Sequence, residues 1–315
     1  MAEAPGAASG DALAQHLTLL DLERIEKDIF RGQNRNIGSG RIFGGQVLAQ
    51  ALVAARGTIR QPDREPHSAH GYFILEGDLT VPVVYVVERL RDGGSFTTRR
   101  VTAIQRGRAI FNMSASFHKP EAGIEHQVEM PEAPDPENLP SDLDVLRENV
   151  HRIPPALRSV LTQERPLDIR SVGPMPLFHR EPSGFVQKAW IRAVGPLGDD
   201  PTIHCATLAY ASDHGILPTA LKPHGRTIRD ADLMAASLDH AVWFHCPFRM
   251  DEWLLYVTKS PVAAGARGFA HGTFFTRSGR LVASAAQEGL LRTGIRRPPP
   301  PSAPDPSTDE STKRE

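Results

Sequence analysis

The sequence predicts an α+β protein built from two similar units, each of which holds one helix against an antiparallel sheet. Three observations lead to this prediction. Runs rich in β-forming residues and joined by short glycine turns occur in both halves of the chain. In each half, a segment of good helix formers precedes those runs. A proline-rich stretch lies between the halves.

Composition divides the chain into five parts. These are a disordered start at 1–11, a first unit at 12–120, a proline-rich connector at 121–183, a second unit at 184–294 and a disordered tail at 295–315. The start and the tail are rich in small residues and proline, which bury too little apolar surface to fold. Within the connector only 142–150 and 155–161 predict helix, so we expect it to wrap the surface.

The first unit opens with an amphipathic helix at 13–25, and a second helix at 44–56 follows a glycine-rich turn. Three β-rich runs come next, at 82–90, 95–105 and 108–117. The last two are separated by Arg106-Gly107, an X-Gly pair that is typical of a tight hairpin.

The second unit repeats this order. Asp200 can cap a helix that has Pro201 at its first position and that runs to about Asp213. Three runs follow, at 253–259, 266–277 and 280–291. Ser278-Gly279 is predicted to be the tight turn between the last two, as Arg106-Gly107 is in the first unit. The repeat indicates a duplication of domain length.

Composition excludes several classes of partner. The formal net charge is −1 and aromatic residues make up 6%, which argues against nucleic acid and against an anionic membrane surface. No apolar run approaches the ~20 residues that a membrane span needs. The first residues lack the apolar core of a signal peptide, and the last three are not a peroxisomal address.

The two cysteines are too few for a disulfide framework, which indicates a cytoplasmic setting. His204-Cys205 and His245-Cys246 form a repeated pair that could ligate a metal. Their spacing fits no zinc motif, and buried thiols beside structural histidines are the better interpretation. We therefore expect no metal and no cofactor.

Three polar residues of the second unit lie inside apolar stretches, where they need partners: Asp213, Ser237 and Gln287. Strand alternation places Gln287 on a face of small apolar residues, where its amide can orient a water or donate to an oxyanion. Asp213 shares a helix face with Ala206 and can act as a general base. The open alternatives are a structural amide and a capping or solvated aspartate. Grouped around one water, the three residues suit hydrolysis without a covalent intermediate.

Ser237, Asp239 and His240 also suggest a serine hydrolase. The Gly-x-Ser-x-Gly turn is missing, and three residues within four positions of one strand cannot all meet as a triad. A hydroxyl that positions water is the better interpretation of Ser237. His240 and His70 each precede aromatic residues, and we interpret both as structural.

The chain resembles the acyl-CoA thioesterase II family, whose members are tandem double-hotdog proteins. The resemblance covers about 17–292. It includes Phe-Gly-Gly-Gln-Val at 43–47, Tyr-Ala-Ser-Asp at 210–213, Asp-His-Ala-Val-Trp-Phe-His at 239–245 and Gln-Glu-Gly at 287–289, with further matches at 19–25, 30–33, 70–73, 95–101 and 252–256. Where some members have Arg-Pro-Gly-Asp, this chain has Leu-Glu-Gly-Asp at 75–78.

This resemblance implies a catalytic trio of Asp213, Ser237 and Gln287, with serine in place of the threonine of many members. It implies that Asp213 activates a water for direct attack on the thioester of an acyl-CoA substrate. The other two residues would orient the water or stabilise the oxyanion. A homo-oligomer is expected by analogy. The hairpin match relates Gln287 to Ala115, so the first unit is expected to be structural or to line the substrate.

Two alternatives remain. A hydratase or dehydratase of the same fold would need a His–Asp pair, but Asp239 and His240 are adjacent and should point to opposite faces of their strand. A non-catalytic acyl-CoA-binding module is the second, and a polar trio in an apolar lining argues against it.

Overall fold

The computed structural model describes residues 7–38, 40–175 and 177–294. Its helices are α1 (Ala7–Leu20), α2 (Gly44–Arg56), α3 (Asp142–Glu148), α4 (Pro155–Leu161), α5 (Pro201–Ser212) and α6 (Ile216–Thr219). Its strands are β1 (Glu23–Glu26), β2 (Ile29–Gly32), β3 (Glu65–Phe73), β4 (Val83–Asp92), β5 (Phe96–Gln105), β6 (Arg108–His118), β7 (Leu167–Ser171), β8 (Val186–Ala193), β9 (Leu233–Ser237), β10 (Asp239–Phe244), β11 (Leu254–Ala264), β12 (Arg267–Thr276) and β13 (Leu281–Thr293). No helix among these residues is long and apolar enough to cross a membrane.

The thirteen strands of the described chain form one sheet in the order β1-β2-β4-β5-β6-β3-β10-β13-β12-β11-β8-β7, and β9 also pairs with β13. The order is symmetrical about the β3–β10 pair, with five further strands on each side of it. The two halves have the same order of strands relative to the chain. Neighbouring strands are antiparallel on both sides of that pair. The predicted α+β architecture of two similar units is confirmed.

The helices α2 and α5 form the centre of the molecule, one from each unit. Both are buried on all sides; Leu48, Ala51 and Leu52 of α2 are fully inaccessible, as are Ala206 and Ala209 of α5. A helix that is apolar all round belongs in a core. Asp200 accepts a hydrogen bond from Thr202 at 2.8 Å, which confirms the predicted cap of α5.

Two glutamines on α2 are exceptions that hold the neighbouring chain. Gln50 is fully buried; it donates to the carbonyls of Leu19 and Gln33 at 2.7 and 2.9 Å and accepts from the Tyr85 hydroxyl at 2.7 Å. Gln46 accepts from the amide of Arg35 at 3.2 Å. Buried amides are stable only with such partners, so these side chains fix the segment that follows β2.

The first helix differs from its prediction. It begins at Ala7, inside the range expected to be disordered, and it ends at Leu20 instead of Ile25. The last residues of the predicted helix form β1, which pairs with β2 through Glu23 and Arg31. Strand pairing therefore overrides helical periodicity there. The predicted tail at 295–315 lies outside the described residues.

The connector is more than a surface strap. Its predicted helices are present as α3 and α4, but the prediction missed β7, which pairs with β8 and extends the second half of the sheet. Leu146, Ile153 and Leu161 form a small core of their own with apolar residues further along the connector. The connector is thus folded onto the second unit.

The two predicted turns have different outcomes. Arg106 and Gly107 both have positive φ, 50° and 74°, as a tight two-residue hairpin requires. The prediction of a two-residue turn at Ser278-Gly279 is wrong, because β12 ends at Thr276 and β13 begins at Leu281. The amide of Thr276 bonds to the carbonyl of Arg280, which closes a longer loop.

His16 attaches α1 to α5. Its Nε2 lies 3.1 Å from the Thr207 hydroxyl, and its ring meets the edge of Tyr210 at a centroid distance of 4.9 Å. The side chain is buried, and burial, followed by the charge of Arg35, lowers the pKa of His16 to about 4. The folded protein therefore holds this imidazole neutral.

We expect the free energy of unfolding to decrease as pH falls from about 6.5 to about 4, because the unfolded state binds a proton on His16 that the folded state excludes. The slope from one such group is about 1.4 kcal/mol per pH unit. Urea unfolding across this range should show a shallower slope for His16→Gln. The same change at the exposed His126 should keep the wild-type slope. Equal slopes for all three proteins would contradict the assignment.

Candidate active site

A cavity of about 740 Å³ lies between the first unit, the connector and the second unit. Apolar side chains from all three parts line it: Ile42, Phe43, Val47, Phe73, Phe111, Leu146, Leu161, Met175, Leu177, Leu217 and Leu238. Asp213 and Ser237 are among the polar residues in its wall. The volume is within the usual range of a small-molecule site.

Asp213 is placed by the meeting of the two central helices. It is the C-cap residue of α5, and its Oδ2 accepts a hydrogen bond from the amide of Gly45 at 2.8 Å. Phe43, the N-cap of α2, makes no side-chain cap. The carboxylate of the second unit therefore caps the helix of the first, and the positive end of the α2 dipole favours its negative charge.

Glycine is required at the start of α2. A Cβ on Gly45 would lie 2.5 Å from the carbonyl oxygen of Tyr210, and one on Gly44 would lie 2.9 Å from Asp213 Oδ2. Atoms at these separations overlap, so a side chain at either position would push the helix ends apart. The two glycines therefore let the backbone of α2 reach the carboxylate.

Tyr256 fixes the end of α5 next to Asp213. Its hydroxyl donates to the carbonyl of Ser212 at 2.8 Å, and its ring stacks on Phe274 at 3.9 Å between centroids. The last turn of a helix leaves carbonyls without partners inside the helix, and Tyr256 satisfies one of them. The residue before Asp213 is thereby held from the sheet side.

Ser237 and His240 reach the same face because the strand is irregular between them. Ser237 of β9 pairs with Gly289 of β13, whereas Ala241 of β10 pairs with Ala286 of β13. From Ser237 to Ala241 the β9–β10 segment therefore has one residue more than the part of β13 that it faces. Such a bulge changes the face to which the following side chains point. Asp239 points away and accepts from the amide of Glu288 at 2.8 Å.

Gln287 contacts both Ser237 and His240. Its Nε2 donates to Ser237 Oγ at 2.5 Å, and its Oε1 lies 3.2 Å from His240 Nδ1. The side chain is fully buried on a face with Ala283, Ala285 and Gly289, as the alternation predicted. Gln287 thus lies behind Ser237 and does not line the cavity itself.

The structure brings Ser237 and Gln287 into direct contact and places Asp213 in the wall of the same cavity. Asp213 Oδ2 accepts the hydrogen bond from the Gly45 amide, so this oxygen has the capping role that is one alternative for the aspartate. The other oxygen can accept a proton. The arrangement presents a base and a hydroxyl to one apolar cavity, with an amide supporting the hydroxyl.

The sequence predicts a structural role for His240, and the contacts of its side chain lie behind the site. Its Nε2 lies 2.8 Å from Ser212 Oγ. Burial lowers the pKa of His240, while Asp213, Gln287 and Asp239 act in the opposite direction. The imidazole is therefore neutral at neutral pH.

Sequence reasoning missed the roles of Gly45 and of the bulge. The Gly-Gly pair at the start of a helix does predict a close approach of two backbone segments. It does not predict that the approaching segment is the end of α5 in the other unit. Nothing in the local sequence indicates that the Ser237 and Asp239 side chains point to opposite faces of the sheet. Elsewhere, both ring nitrogens of His204 make bonds within the fold, to the Gly198 carbonyl and the Met250 amide, as a structural histidine does.

Comparisons with known proteins agree with the resemblance. Residues 161–290 match the model of the Acyl-CoA thioesterase family, and 32–118 match that of the Acyl-CoA thioesterase N-terminal domain. Human acyl-coenzyme A thioesterase 8 is 42% identical over 87% of this chain and 88% of its own length.

Two solved structures extend the comparison. The acyl-CoA thioesterase II TesB2 of Mycobacterium marinum is 43% identical, with a TM-score of 0.72 over 88% of this chain and 98% of that one. A protein of unknown function with the hotdog fold from Alicyclobacillus acidocaldarius is 18% identical, with a TM-score of 0.70 over 89% and 99%. The fold is the tandem double hotdog expected from the sequence.

We expect Gly45→Ala to destabilise the protein by about 1–3 kcal/mol, because overlap with the Tyr210 carbonyl outweighs the better helix propensity of alanine. Thermal and urea unfolding measure the effect. Gly94→Ala is the matched control, since a Cβ there meets open space. A Gly45→Ala protein as stable as the control would mean that the helix ends have room to separate.

Proposed function

Since the chain belongs to the acyl-CoA thioesterase II family, we propose that it hydrolyses fatty acyl-CoA to the free acid and coenzyme A by direct attack of water on the thioester. One observation carries the proposal: Asp213 and Ser237, the latter bonded to Gln287, face one apolar cavity. That cavity offers an acyl chain the environment that it lacks in water.

Asp213 is the proposed base. Its Oδ2 is held by the Gly45 amide, which leaves Oδ1 to take a proton as the water oxygen attacks the carbonyl carbon. The tetrahedral intermediate then expels the CoA sulfur. The proton on Asp213 passes to that sulfur, so the thiol leaves neutral and the carboxylate is restored.

Ser237 and Gln287 are the proposed stabilising pair. With Gln287 donating to its oxygen, the Ser237 hydroxyl keeps its own proton to donate to the water or to the developing oxyanion. The family threonine and this serine both supply a hydroxyl, so the substitution leaves this role intact.

The arginines of the cavity suit the phosphates of coenzyme A. Arg41, Arg226 and Arg229 line the same cavity as Asp213, and guanidinium groups bind phosphate oxygens in pairs. Arg41 and Arg226 also bond to Glu76 and Asp232, which holds their side chains in place. We propose that the CoA portion lies on this side of the cavity.

The geometry disfavours the hydratase or dehydratase alternative. Asp239 bonds to the backbone of β13, while His240 points inward to Ser212 and Gln287. The two side chains therefore do not form an acid–base pair. A binding module without catalysis has no use for a base in the cavity wall.

We expect wild-type protein to release free thiol from acyl-CoA, and Asp213→Asn to lower kcat by ~10²-fold or more. Asparagine keeps an oxygen for the Gly45 amide but cannot take the proton, so capping and base roles are separated. A series of acyl lengths gives the chain preference.

Three further variants complete the experiment. Ser237→Ala should lower kcat, Ser237→Thr should remain near wild type, and Asp239→Asn is the matched carboxylate control. An inactive wild type on every acyl length would contradict the reaction. Full activity in Asp213→Asn would keep the reaction and overturn the site.

We retain the homo-oligomer and the cytoplasmic location as parts of the proposal. The edge strand β1 is short and carries Glu23, Arg24 and Glu26, and such edges resist pairing with another sheet. We therefore expect copies to associate through other surfaces. Sedimentation equilibrium should give a mass above that of one chain, and a monomer at micromolar concentration would contradict this.

A further inference from the structure

We propose that His240 is a positioning residue: its Nδ1–H holds Oε1 of Gln287 and thereby directs the Ser237 hydroxyl toward the thioester. The inference rests on the proposed function and deepens it. The proposal rests on a chain of three side-chain contacts. Ser212 Oγ lies 2.8 Å from His240 Nε2, and His240 Nδ1 lies 3.2 Å from Gln287 Oε1. Gln287 Nε2 in turn lies 2.5 Å from Ser237 Oγ.

The direction of the Gln287 amide decides what Ser237 can do. The oxygen and nitrogen ends of an amide have nearly the same shape, so packing alone does not choose between them. With nitrogen toward Ser237, the serine oxygen accepts and its proton is available to the cavity. With oxygen toward Ser237, the serine proton is drawn into that bond and away from the cavity.

The tautomer of His240 makes this choice. A neutral imidazole has one donor and one acceptor. If Nδ1 carries the proton, it donates to Oε1 and the amide nitrogen is left for Ser237. If Nε2 carries the proton, Nδ1 becomes an acceptor and the amide must turn its nitrogen toward His240.

The orientation of the Gln287 amide supports the first polarity. Its Oε1 faces His240 Nδ1 and its Nε2 faces Ser237 Oγ, which requires the proton of a neutral imidazole to be on Nδ1. The buried Ser212 hydroxyl donates to the Ala209 carbonyl at 2.9 Å and lies 2.8 Å from His240 Nε2. With Nδ1 protonated, Nε2 is an acceptor, so the proposal requires the Ser212 proton to turn from Ala209 to His240. Tyr256 holds Ser212 through its backbone carbonyl.

The bulge in the strand makes the contact possible. Because of the bulge, the side chains of Ser237 and His240, which are three positions apart, point to the same face of the sheet. The Gln287 side chain of β13 lies between them on that face. In the first unit, Ala69 pairs with Ala115, the residue related to Gln287 by the hairpin match, and both are buried. The polar chain is thus a feature added to the second unit.

Kinetics of three substitutions test the role. His240→Ala should lower kcat at least ~10-fold, with KM changed little, because the amide loses its orientation. His240→Asn should recover most of kcat, since its amide nitrogen occupies the place of Nδ1–H. His240→Gln, which extends past that place, should not. His70→Asn is the matched control, since His70 is exposed and contacts Trp243 on the outer face.

A second measurement is made on the wild-type protein and needs a variant only to assign one signal. Nitrogen NMR of ¹⁵N-histidine-labelled wild type reports which ring nitrogen of His240 carries the proton, with His240→Asn identifying the signal. An Nδ1–H tautomer supports the proposal and an Nε2–H tautomer overturns it. Equal recovery by Asn and Gln also overturns it, because any polar filler would then suffice. A wild type without thioesterase activity would instead reject the function, and the NMR result would still stand.

Discussion

The hydrogen bond from the Gly45 amide to Asp213 joins the two halves of this molecule at the point where chemistry is proposed. It exists because two buried helices, one from each unit, pack against each other and bring the start of α2 to the end of α5, with room only for glycine at that point. The glycines of α2 allow the approach, and the carboxylate satisfies a helix N-terminus that has no cap of its own. The shape of the cavity depends on this junction, since Phe43, Gly44 and Asp213 are all part of its wall.

The junction also changes the role assigned to the first unit. The residue match to Ala115 predicts a structural or substrate-lining partner, and the sheet of this unit lines the cavity with Phe73 and Phe111. The unit contributes more, because the amide that holds the proposed base comes from its central helix. The duplication has therefore kept two sheets of similar order while dividing the site unequally. One unit supplies the proposed base, hydroxyl and amide, and the other supplies the positive helix end.

Much of the fold could be predicted because it depends on local signals. Helix α2 has its predicted bounds, and Asp200-Pro201 mark the start of α5. The errors arise where a distant partner decides. Residues 23–25 belong to the predicted helix but lie in β1, which pairs with β2. Strand β7 was missed because its partner β8 lies beyond the connector. The buried face on which Gln287 lies could be predicted from alternation alone. The bulge between Ser237 and His240 could not be predicted, because it is a difference in register between the β9–β13 and the β10–β13 pairings.

The connector has a consequence for how this enzyme can change over evolutionary time. Leu146, Leu161, Met175 and Leu177 line the cavity from a segment with its own small core, and none of the three proposed catalytic groups lies in that segment. Substitutions there can alter the space for an acyl chain without moving the base or the hydroxyl. The part of the cavity wall that the connector supplies is therefore separate in sequence from the proposed catalytic groups, and a substitution in the connector can reshape that part alone.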